Sequence, residues 1–398
     1  MVTTDHLMID RRILLEARTL IENGYDVHLL AGFECPEPLE YEVDGLKIQR
    51  FTYDWGDRRI DSLLLSIAIG PQKLRNLLIR AGRKATSLLT GFTGIEDFAL
   101  RKILECDYDI LHCHDFPLLK VASEAVRRRP VKFVYDAHEL YHAQTQLPTA
   151  VRERYRKIEK RLIRKPDLVI TVNPFIADIM ARDYKVRAPE VILNATTIEP
   201  RPKSDRLREL TGLSPEDRIL MYQGWISPER GIEHLVSCAR YFPQGMHLVL
   251  IGYGAFEAEL RDISRQQGTD DGRVIFLGQL SNRDLAALTP FADLGAIPYH
   301  GVDLNNFYCS PNKLFEFVAA GVPFICNDLP FLRSVIDKFG CGLTVDFSDP
   351  KKAAEVIIGL LGNQYALGEL KAAAQRSADT LNWTVEGAKL IALYRALA

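Results

Sequence analysis

The sequence lacks the features that mark membrane-spanning or disulfide-bonded proteins. Its best candidate for a long hydrophobic run, residues 63–69, is far too short to cross a bilayer, and its first residues do not read as a signal peptide. The seven cysteines are scattered without a Cys-x-x-Cys pair, which argues against a disulfide framework and a zinc site. A formal net charge of −2 gives no indication of a nucleic-acid partner. We therefore expect a cytoplasmic protein with reduced thiols.

Length and composition indicate a globular protein of more than one domain. A chain of 398 residues is long for a single hydrophobic core, and 47% hydrophobic with 26% charged residues is an ordinary globular composition. Residues 195–203 contain Pro200 and Pro202, and we interpret them as the linker between two domains.

The first residues predict a parallel βαβ unit. Residues 10–22 have helical spacing of apolar side chains, and residues 27–31 form a short apolar run. Residues 1–5 read as the end of the preceding strand, so we expect a few further residues upstream. The connecting turn has no glycine, unlike dinucleotide-binding turns. Arg11 and Arg12 at the helix start are candidates for binding an anionic acceptor, with a plain surface position as the alternative.

Polar side chains follow two later strands of the same half. Residues 108–115 end in His112, His114 and Asp115, and residues 131–139 end in His138 and Glu139. Ligands of open parallel sheets bind at the carboxyl ends of strands, so both clusters are expected at one cleft. Their spacing matches no common zinc pattern, and we expect no metal ion there.

A strand–loop–helix–strand unit at residues 293–326 carries the strongest functional signal. Residues 312–320 predict a helix, with Pro311 at its start and Gly321 at its end. The N-terminus of a helix offers free N–H groups and partial positive charge, which suits a phosphate. Lys313 in the first turn would add a cation, and Glu316 one turn later would accept hydrogen bonds from sugar hydroxyls. The alternative is that both are ordinary solvated charges.

Two glycine-containing loops follow strands of the second half. Gly224 follows the strand at residues 218–222, and Arg230 precedes the next helix, where a guanidinium suits a diphosphate. Gly252 and Gly254 follow the strand at residues 247–251. They lack the third glycine and the acidic residue of a dinucleotide fingerprint, which argues against a dehydrogenase.

The segment at residues 310–323 resembles the donor site of retaining glycosyltransferases of family 4, which have the GT-B architecture. The resemblance implies that Glu316 binds the ribose of a nucleotide sugar, that nearby backbone N–H groups hold its diphosphate, and that Ser310 and Leu314 belong to the donor site. Arg230 stands where many members have lysine. Many members also carry a second glutamate eight residues before the first. Here that position is Tyr308, which leaves the role of that glutamate toward the donor sugar open.

The same family resemblance extends to the first half and, more thinly, to the whole chain. Residues 135–140, Tyr-Asp-Ala-His-Glu-Leu, are similar to the acceptor-side motif, which implies that His138 faces the donor sugar with Asp115 and Glu139 nearby. The family's loop with Gly252 and Gly254 lies close to the donor nucleotide. The resemblance also implies that the last helix crosses back to the first domain.

Two basic helices in the first half leave a membrane contact open. One carries Lys73, Arg75, Arg80, Arg83 and Lys84, with Leu74, Leu77, Leu78 and Ala81 on a shared face, and the other spans residues 152–165. Such helices either lie on an anionic membrane or pack on the protein with a solvated basic face. The inner face of the membrane is therefore an alternative location to the open cytoplasm.

Together these observations predict an α/β protein of GT-B type, with two Rossmann-like domains facing a cleft. We expect an acceptor-binding domain at residues 1–198, joined by a C-terminal helix at residues 382–398, and a donor-binding domain at residues 199–381. The predicted reaction is metal-independent transfer of a hexose from a nucleotide diphosphate sugar, of UDP or GDP type, to a sugar or lipid-linked acceptor, with retention, in bacterial polysaccharide, glycolipid or other glycoconjugate synthesis. No other cofactor is expected.

The predicted site residues fall into three groups. The catalytic group is His138, Arg230 and Lys313. The donor group is Gly224, Arg230, Gly252, Gly254, Ser310, Lys313, Leu314 and Glu316. The acceptor group is Arg11, Arg12, His114, Asp115 and Glu139. Two alternatives remain open at this point: a catalytically silent scaffold that binds nucleotide sugars, and a sugar-nucleotide epimerase of the same architecture.

Overall fold

A computed structural model describes residues 1–6, 8–53, 66, 71–200 and 202–397. The chain divides into two compact units. The first unit, here the N domain, comprises Met1–His142, Leu147–Ile192 and Gly387–Ala398. The second, here the C domain, comprises Ala143–Gln146 and Leu193–Glu386. The last helix therefore begins in the C domain and continues as part of the N domain.

The N domain is built on a mostly parallel sheet, which has eight strands within the described residues, in the order β3-β4-β2-β1-β5-β6-β7-β8. Only β3, among these strands, pairs antiparallel, with β4. The strands are β1 Val2–Thr3, β2 His28–Ala31, β3 Leu39–Val43, β4 Leu46–Arg50, β5 Ile110–His114, β6 Lys132–Ala137, β7 Leu168–Thr171 and β8 Glu190–Val191. The helices are α1 Arg11–Glu22, α2 Gln72–Thr90, α3 Gly94–Glu105, α4 Phe116–Arg128, α5 Thr149–Leu162 and α6 Pro174–Tyr184.

The C domain contains a fully parallel sheet, with six strands in the described residues, in the order β11-β10-β9-β12-β13-β14. The strands are β9 Arg218–Trp225, β10 Met246–Tyr253, β11 Val274–Gly278, β12 Leu294–Ile297, β13 Phe324–Cys326 and β14 Gly342–Thr344. The helices are α7 Arg206–Thr211, α8 Ile232–Ala239, α9 Glu257–Gln267, α10 Asn282–Leu288, α11 Leu304–Phe307, α12 Asn312–Ala319, α13 Pro330–Phe339, α14 Pro350–Gly362, α15 Gln364–Ala378 and the shared α16 Trp383–Leu397.

The central strands of both sheets are largely buried, as expected for parallel strands covered by helices. The first helix of the N domain is α1, whose capping residue Asp10 accepts a hydrogen bond from the backbone N–H of Arg12 (2.7 Å). Such a cap satisfies one of the free N–H groups at a helix start. The helix then buries Ile13, Ala17 and Leu20 against the sheet side of the domain. This α/β architecture of two Rossmann-like domains confirms the predicted fold class.

The hairpin of β3 and β4 was not predicted in full, because β3 is largely exposed and shows no alternation of buried side chains. Helix α2 also differs from a helix packed through its apolar face: Leu74, Leu77 and Leu78 are each about half exposed or more. The side chains of Lys73 and Arg75 lie outside the described residues. None of the helices described is both long and apolar enough to cross a membrane.

Candidate functional site

The side chain of Lys313 is the buried cation of the C domain's site. It lies in the first turn of α12, is 4% exposed, and places its ammonium 3.5 Å from the ring centre of Tyr222 and 4.7 Å from that of Tyr299. Its Nζ has no hydrogen-bond partner within the described structure. Burial, together with repulsion from Arg230, lowers the pKa of Lys313 well below its usual value. A buried ammonium without an acceptor is costly, so this position favours an anion.

Arg230 brings a second cation to the same place. Its guanidinium carbon lies 4.3 Å from the ring centre of Tyr299, so both cations contact one phenol ring. The Nε atom of Arg230 is buried and has no acceptor among the described residues. The short 3-10 helix Pro228–Arg230 and the left-handed residue Gly231 (φ 67°) position this side chain at the start of α8. Two adjacent cations with unused donors form a site for a group carrying more than one negative charge.

The loop before α12 brings one unused polar atom to the site. The buried Oγ of Ser310 has no hydrogen-bond partner in the part of the chain described here, while its carbonyl accepts from the side-chain amide of Asn194 (3.0 Å). The N–H of Leu314, however, donates to the carbonyl of Pro311 (3.1 Å). That N–H is therefore used within the first turn of α12, and the Leu314 side chain is buried. The place of Leu314 in the donor site stays a prediction.

The three glycines of the predicted donor site have two distinct functions. Gly224 (φ 114°) faces the site: a Cβ added there would lie 3.6 Å from Cε and Nζ of Lys313. Gly252 and Gly254 instead allow β10 to approach β9. A Cβ on Gly252 would lie 1.8 Å from the carbonyl oxygen of Gly224, and one on Gly254 would lie 1.9 Å from that of Ile226. The sequence motif thus reflects close backbone packing as well as any proximity to a ligand.

Glu316 is oriented by a partner that the sequence did not reveal. The side-chain amide of Gln223 donates to Oε2 of Glu316, and its carbonyl accepts from Thr289 Oγ1 (3.1 Å). Gln223 is fully buried at the end of β9. A glutamine that ends the apolar run Ile-Leu-Met-Tyr at residues 219–222 was the available signal. Glu316 itself is only partly buried, so its carboxylate is held at the site but remains accessible.

In the N domain, Arg12 is part of an internal ion network and does not face an acceptor. Its guanidinium donates to both carboxylate oxygens of Asp136 (2.8 and 3.0 Å) and to the carbonyl of Ile192 (2.7 Å), and it lies 3.0 Å from Oε1 of Glu16. Arg12 is 3% exposed. The prediction that Arg12 binds an anionic acceptor is therefore wrong, because its donors already serve buried partners. Arg11 is partly exposed.

The histidines at the strand ends are stacked on this network. The rings of His112 and His114 are 4.2 Å apart and nearly parallel, and His114 Nδ1 lies 3.3 Å from His138 Nε2. His112 Nδ1 is 2.6 Å from the hydroxyl of Tyr394 on α16. Burial lowers the pKa of His114 to about 4. His114 is thus a buried neutral support for His138 and has no exposed surface for an acceptor.

His138 carries the positive charge of the cluster. Its Nε2 lies 3.3 Å from Oδ2 of Asp136, and its side chain is 17% exposed. Burial opposes its charged form, but the charge of Asp136 outweighs that effect and raises the pKa of His138 to about 10. Burial would likewise raise the pKa of Asp136, yet Arg12 and His138 hold it well below its usual value. The structure therefore presents a partly accessible imidazolium at the end of β6.

Asp115 adjoins this imidazolium in a strained backbone conformation. Its φ of 62° is unusual for a residue other than glycine, and its carboxylate accepts from the N–H of Phe116 (3.0 Å) as the cap of α4. Burial, followed by repulsion from Glu139, raises the pKa of Asp115 to about 8. Asp115 thus interacts both with Glu139, which is likewise predicted on the acceptor side, and with His138.

The buried group of Glu16, His112, His114 and Asp136 has the composition of a metal site, with its ligand atoms within 4.8 Å of one another. The guanidinium of Arg12, however, bonds Asp136 and lies 3.0 Å from Glu16. Arg12 therefore already compensates these carboxylates, and a metal ion would be repelled by it.

Two family models match adjoining parts of the chain. The model described as Glycosyltransferase Family 4 matches residues 9–199, and the model described as Glycosyl transferases group 1 matches residues 203–378. Among curated relatives, a D-inositol 3-phosphate glycosyltransferase of Xylanimonas cellulosilytica is 24% identical over 310 residues, 72% of each chain. A phosphatidyl-myo-inositol mannosyltransferase of Mycobacterium leprae is 27% identical over 312 residues, 75% of this chain and 76% of the relative.

Solved structures share the fold over nearly the whole length. Sucrose-phosphate synthase from Thermosynechococcus elongatus superposes with a TM-score of 0.72 at 20% identity, covering 99% of this chain and 95% of that one. Anabaena HepE in complex with UDP and glucose gives 0.74 at 14% identity, covering 99% and 98%. The protein is therefore a glycosyltransferase of the GT-B fold, with a Glycosyltransferase Family 4 domain followed by a Glycosyl transferases group 1 domain.

Proposed function

We propose that this glycosyltransferase moves a hexose from a nucleotide diphosphate sugar to an acceptor hydroxyl with retention of anomeric configuration. The observation that carries the proposal is the pair of cations on Tyr299. Lys313 and Arg230 both contact that ring, and each has a buried nitrogen without an acceptor in the described structure. A diphosphate would supply acceptors for both. Fixed cations that meet the charge developing on a departing diphosphate lower the barrier to its departure.

The same two cations support catalysis without a metal ion at the diphosphate. A pair of protein cations can replace a divalent ion in neutralising the leaving group, because both act by electrostatic compensation. Glu316 is proposed to accept hydrogen bonds from the ribose, in the orientation set by Gln223. A UDP or GDP sugar is the proposed donor, and the UDP bound by Anabaena HepE is consistent with the first of these.

Retention is proposed to occur by displacement on one face of the sugar, without a covalent intermediate. Cys309 is a potential nucleophile that interacts electrostatically with both Arg230 and Lys313. Burial raises the pKa of Cys309 to about 12, so the thiol is not ionised at neutral pH. The departing diphosphate and the incoming hydroxyl would then share one face, with His138 proposed to contact the donor sugar and Arg11, Asp115 and Glu139 on the acceptor side.

A sugar or lipid-linked acceptor, in synthesis of a bacterial polysaccharide, glycolipid or other glycoconjugate, is the proposed partner. Two relatives have names that specify inositol phosphate or phosphatidylinositol acceptors. Helix α5 places Arg154, Lys157 and Arg161 along one side with Ile158. Such a face suits peripheral contact with an anionic bilayer on the cytoplasmic side. Sedimentation with vesicles with and without anionic lipid tests that contact, which requires a preference for the anionic vesicles.

The deciding experiment is a thermal-shift panel with UDP, GDP, ADP, dTDP and CMP, with magnesium and with EDTA. A ligand at 100 times its dissociation constant stabilises the folded state by about 2.7 kcal/mol, which is readily seen. We expect one diphosphate to stabilise the protein equally well in EDTA, and Lys313→Met to abolish the shift. Lys338→Met is the matched control, because Lys338 is an exposed lysine near the ring of Phe339 (5.1 Å). A shift that requires magnesium would contradict the metal-free site.

Incubation with sugars linked to the nucleotide diphosphate that stabilised the protein then distinguishes a transferase from an epimerase and from a silent scaffold. A transferase releases the nucleotide diphosphate when an acceptor is added. An epimerase would instead return an isomerised nucleotide sugar without acceptor, and a silent scaffold would bind the donor unchanged. Anomeric configuration is read from the product by NMR, and inversion would overturn the proposed displacement.

A further inference from the structure

A second cluster of metal-ligating side chains lies in the C domain, outside the residues proposed to hold the donor. Glu233 and His234 are in the first turn of α8, and His300 follows β12. One ligand atom from each of the three lies within 4.8 Å of the others. His234 Nε2 is 3.5 Å from Glu233 Oε1, and His300 Nε2 is 3.9 Å from the same oxygen.

These distances are too long for hydrogen bonds but suit ligands that share one ion. A hydrogen bond between nitrogen and oxygen has a separation near 3 Å. Tetrahedral bonds of about 2.1 Å from a zinc ion place neighbouring ligand atoms roughly 3.4 Å apart. The separations at Glu233 therefore need only a small adjustment to bind a metal ion, whereas a hydrogen bond would need a larger one.

Two atoms of the cluster are also unused. His300 Nε2 and Glu233 Oε2 are buried and have no hydrogen-bond partner within the described residues. Buried polar atoms are almost always satisfied, so two such atoms in one cluster indicate a missing partner. A cation that accepts an electron pair from each of these two atoms would satisfy both.

The surrounding backbone holds His300 in place for this purpose. Gly231 permits its approach, since a Cβ there would lie 2.6 Å from His300 Nε2 and 2.4 Å from the carbonyl of Pro298. The side-chain amide of Asn327 donates to the carbonyls of Pro298 and Tyr299 (2.9 and 3.0 Å), which fixes the loop. The three side chains are each 27–30% exposed, so an ion and a water ligand can enter from solvent.

We propose that Glu233, His234 and His300 bind a divalent transition-metal ion of the zinc class. Two imidazole nitrogens and one carboxylate oxygen form a ligand set that zinc favours, with a fourth position left for water. The ion would join the start of α8 to the loop after β12. Tyr299 precedes His300 and Arg230 precedes Gly231, so the bound ion would stiffen the backbone on both sides of the cation pair. This proposal concerns a structural ion and does not depend on sugar transfer.

The test is calorimetric titration of zinc chloride into the EDTA-treated, dialysed full-length protein, with a phosphine reductant present. We expect one ion per chain in the wild type. His300→Gln and His234→Gln should each weaken binding at least about 100-fold, since even loss of an outer partner of a metal ligand costs 10–100-fold. His247→Gln is the matched control, because His247 Nε2 lies 3.7 Å from Asp217 Oδ1 but belongs to no cluster with a second histidine among the described residues. We expect His247→Gln to bind zinc with the affinity of the wild type.

Two outcomes overturn the proposal. Equal zinc affinity in the wild type and both histidine variants would place the metal elsewhere. A cobalt-substituted protein with a strong thiolate charge-transfer band would show that cysteines bind the ion instead. Circular dichroism of each metal-free variant confirms that it is folded. His234, at the partly exposed start of α8, keeps the test decisive if His300→Gln fails to fold.

Discussion

Gln223 donates a hydrogen bond from its side-chain amide to Glu316 Oε2, and so connects the end of β9 to α12. If Glu316 binds the ribose, Glu316→Ala will weaken nucleotide diphosphate binding by about 1.5–3 kcal/mol, the usual value of hydrogen bonds to a charged group. Isothermal titration calorimetry with the nucleotide identified by thermal shift measures this loss. Glu355→Ala, which removes an exposed glutamate from α14, is the control and should bind as the wild type does. Equal affinities for the two variants would refute the ribose assignment.

The lowered pKa of Lys313 predicts that the protein takes up a proton when it binds a nucleotide diphosphate. Burial and Arg230 lower the pKa of Lys313 well below its usual value, and a bound diphosphate would raise it again. At a pH above the lowered pKa, the lysine must therefore gain a proton as the ligand binds, and affinity will fall as pH rises. Titrations at a series of pH values, in buffers of different ionisation enthalpy, measure the uptake. The same uptake in Lys313→Met would assign the proton to another group.

The lowered pKa of Lys313 also fixes the sign with which this residue makes the stability of the ligand-free protein depend on pH. Between its lowered folded pKa and the unfolded value of about 10.4, the unfolded chain binds more protons at this position than the folded chain. The contribution of Lys313 to the free energy of unfolding therefore rises with pH across that window. The pH dependence of the difference between wild type and Lys313→Met, from urea denaturation, isolates this contribution.

Arg12 and Arg18, on the same helix, provide a matched pair of Arg–Asp interactions. Arg12 and Asp136 are buried, and removing one partner of such a pair costs about 3–5 kcal/mol because the other charge is left uncompensated. The side chains of Arg18 and Asp44 are 51% and 59% exposed, and such a pair contributes about 0–1 kcal/mol. We expect Arg12→Met to destabilise the fold severely and Arg18→Met hardly at all. If urea denaturation gave the two variants comparable losses of unfolding free energy, Arg12 would not be compensating a buried charge.

The sequence predicted those helices and strands whose signal lies within a few neighbouring residues. Apolar spacing placed a helix at residues 312–320, and the structure has it at Asn312–Ala319. The strand predicted at residues 218–222 begins at Arg218 as predicted and continues to Trp225. The exposed strand Leu39–Val43 has no buried face to give a periodic signal, and the prediction missed it.

Partners distant in the chain were not predictable from pattern alone. The sequence left a surface position open for Arg12 because its ion-pair partner, Asp136, lies 124 positions away. Tyr394 contacts His112 across 282 positions, so neither residue had a local sign of the other. The sequence pattern of Gly252 and Gly254 indicated only a ligand loop, and it gave no sign of the carbonyl groups of Gly224 and Ile226 that exclude any side chain at these positions. Tertiary contacts of these kinds need coordinates because propensity and periodicity act over only a few residues.

The raised pKa of His138 predicts that its contribution to the free energy of unfolding falls as pH rises, opposite in sign to the contribution of Lys313. Asp136 raises the pKa of His138 to about 10, against an ordinary value near 6.5. The stabilisation from its charged form is therefore complete below pH 6.5 and is lost as pH rises through 10. We expect the difference in free energy of unfolding between the wild type and His138→Gln to shrink between pH 6.5 and 10, as measured by urea denaturation. His112→Gln is the control: burial and His114 hold the pKa of His112 well below its usual value, so it stays neutral throughout and its difference should be constant. Parallel behaviour of the two variants would mean that His138 is uncharged at neutral pH, and the imidazolium proposed to face the donor sugar would have to be abandoned.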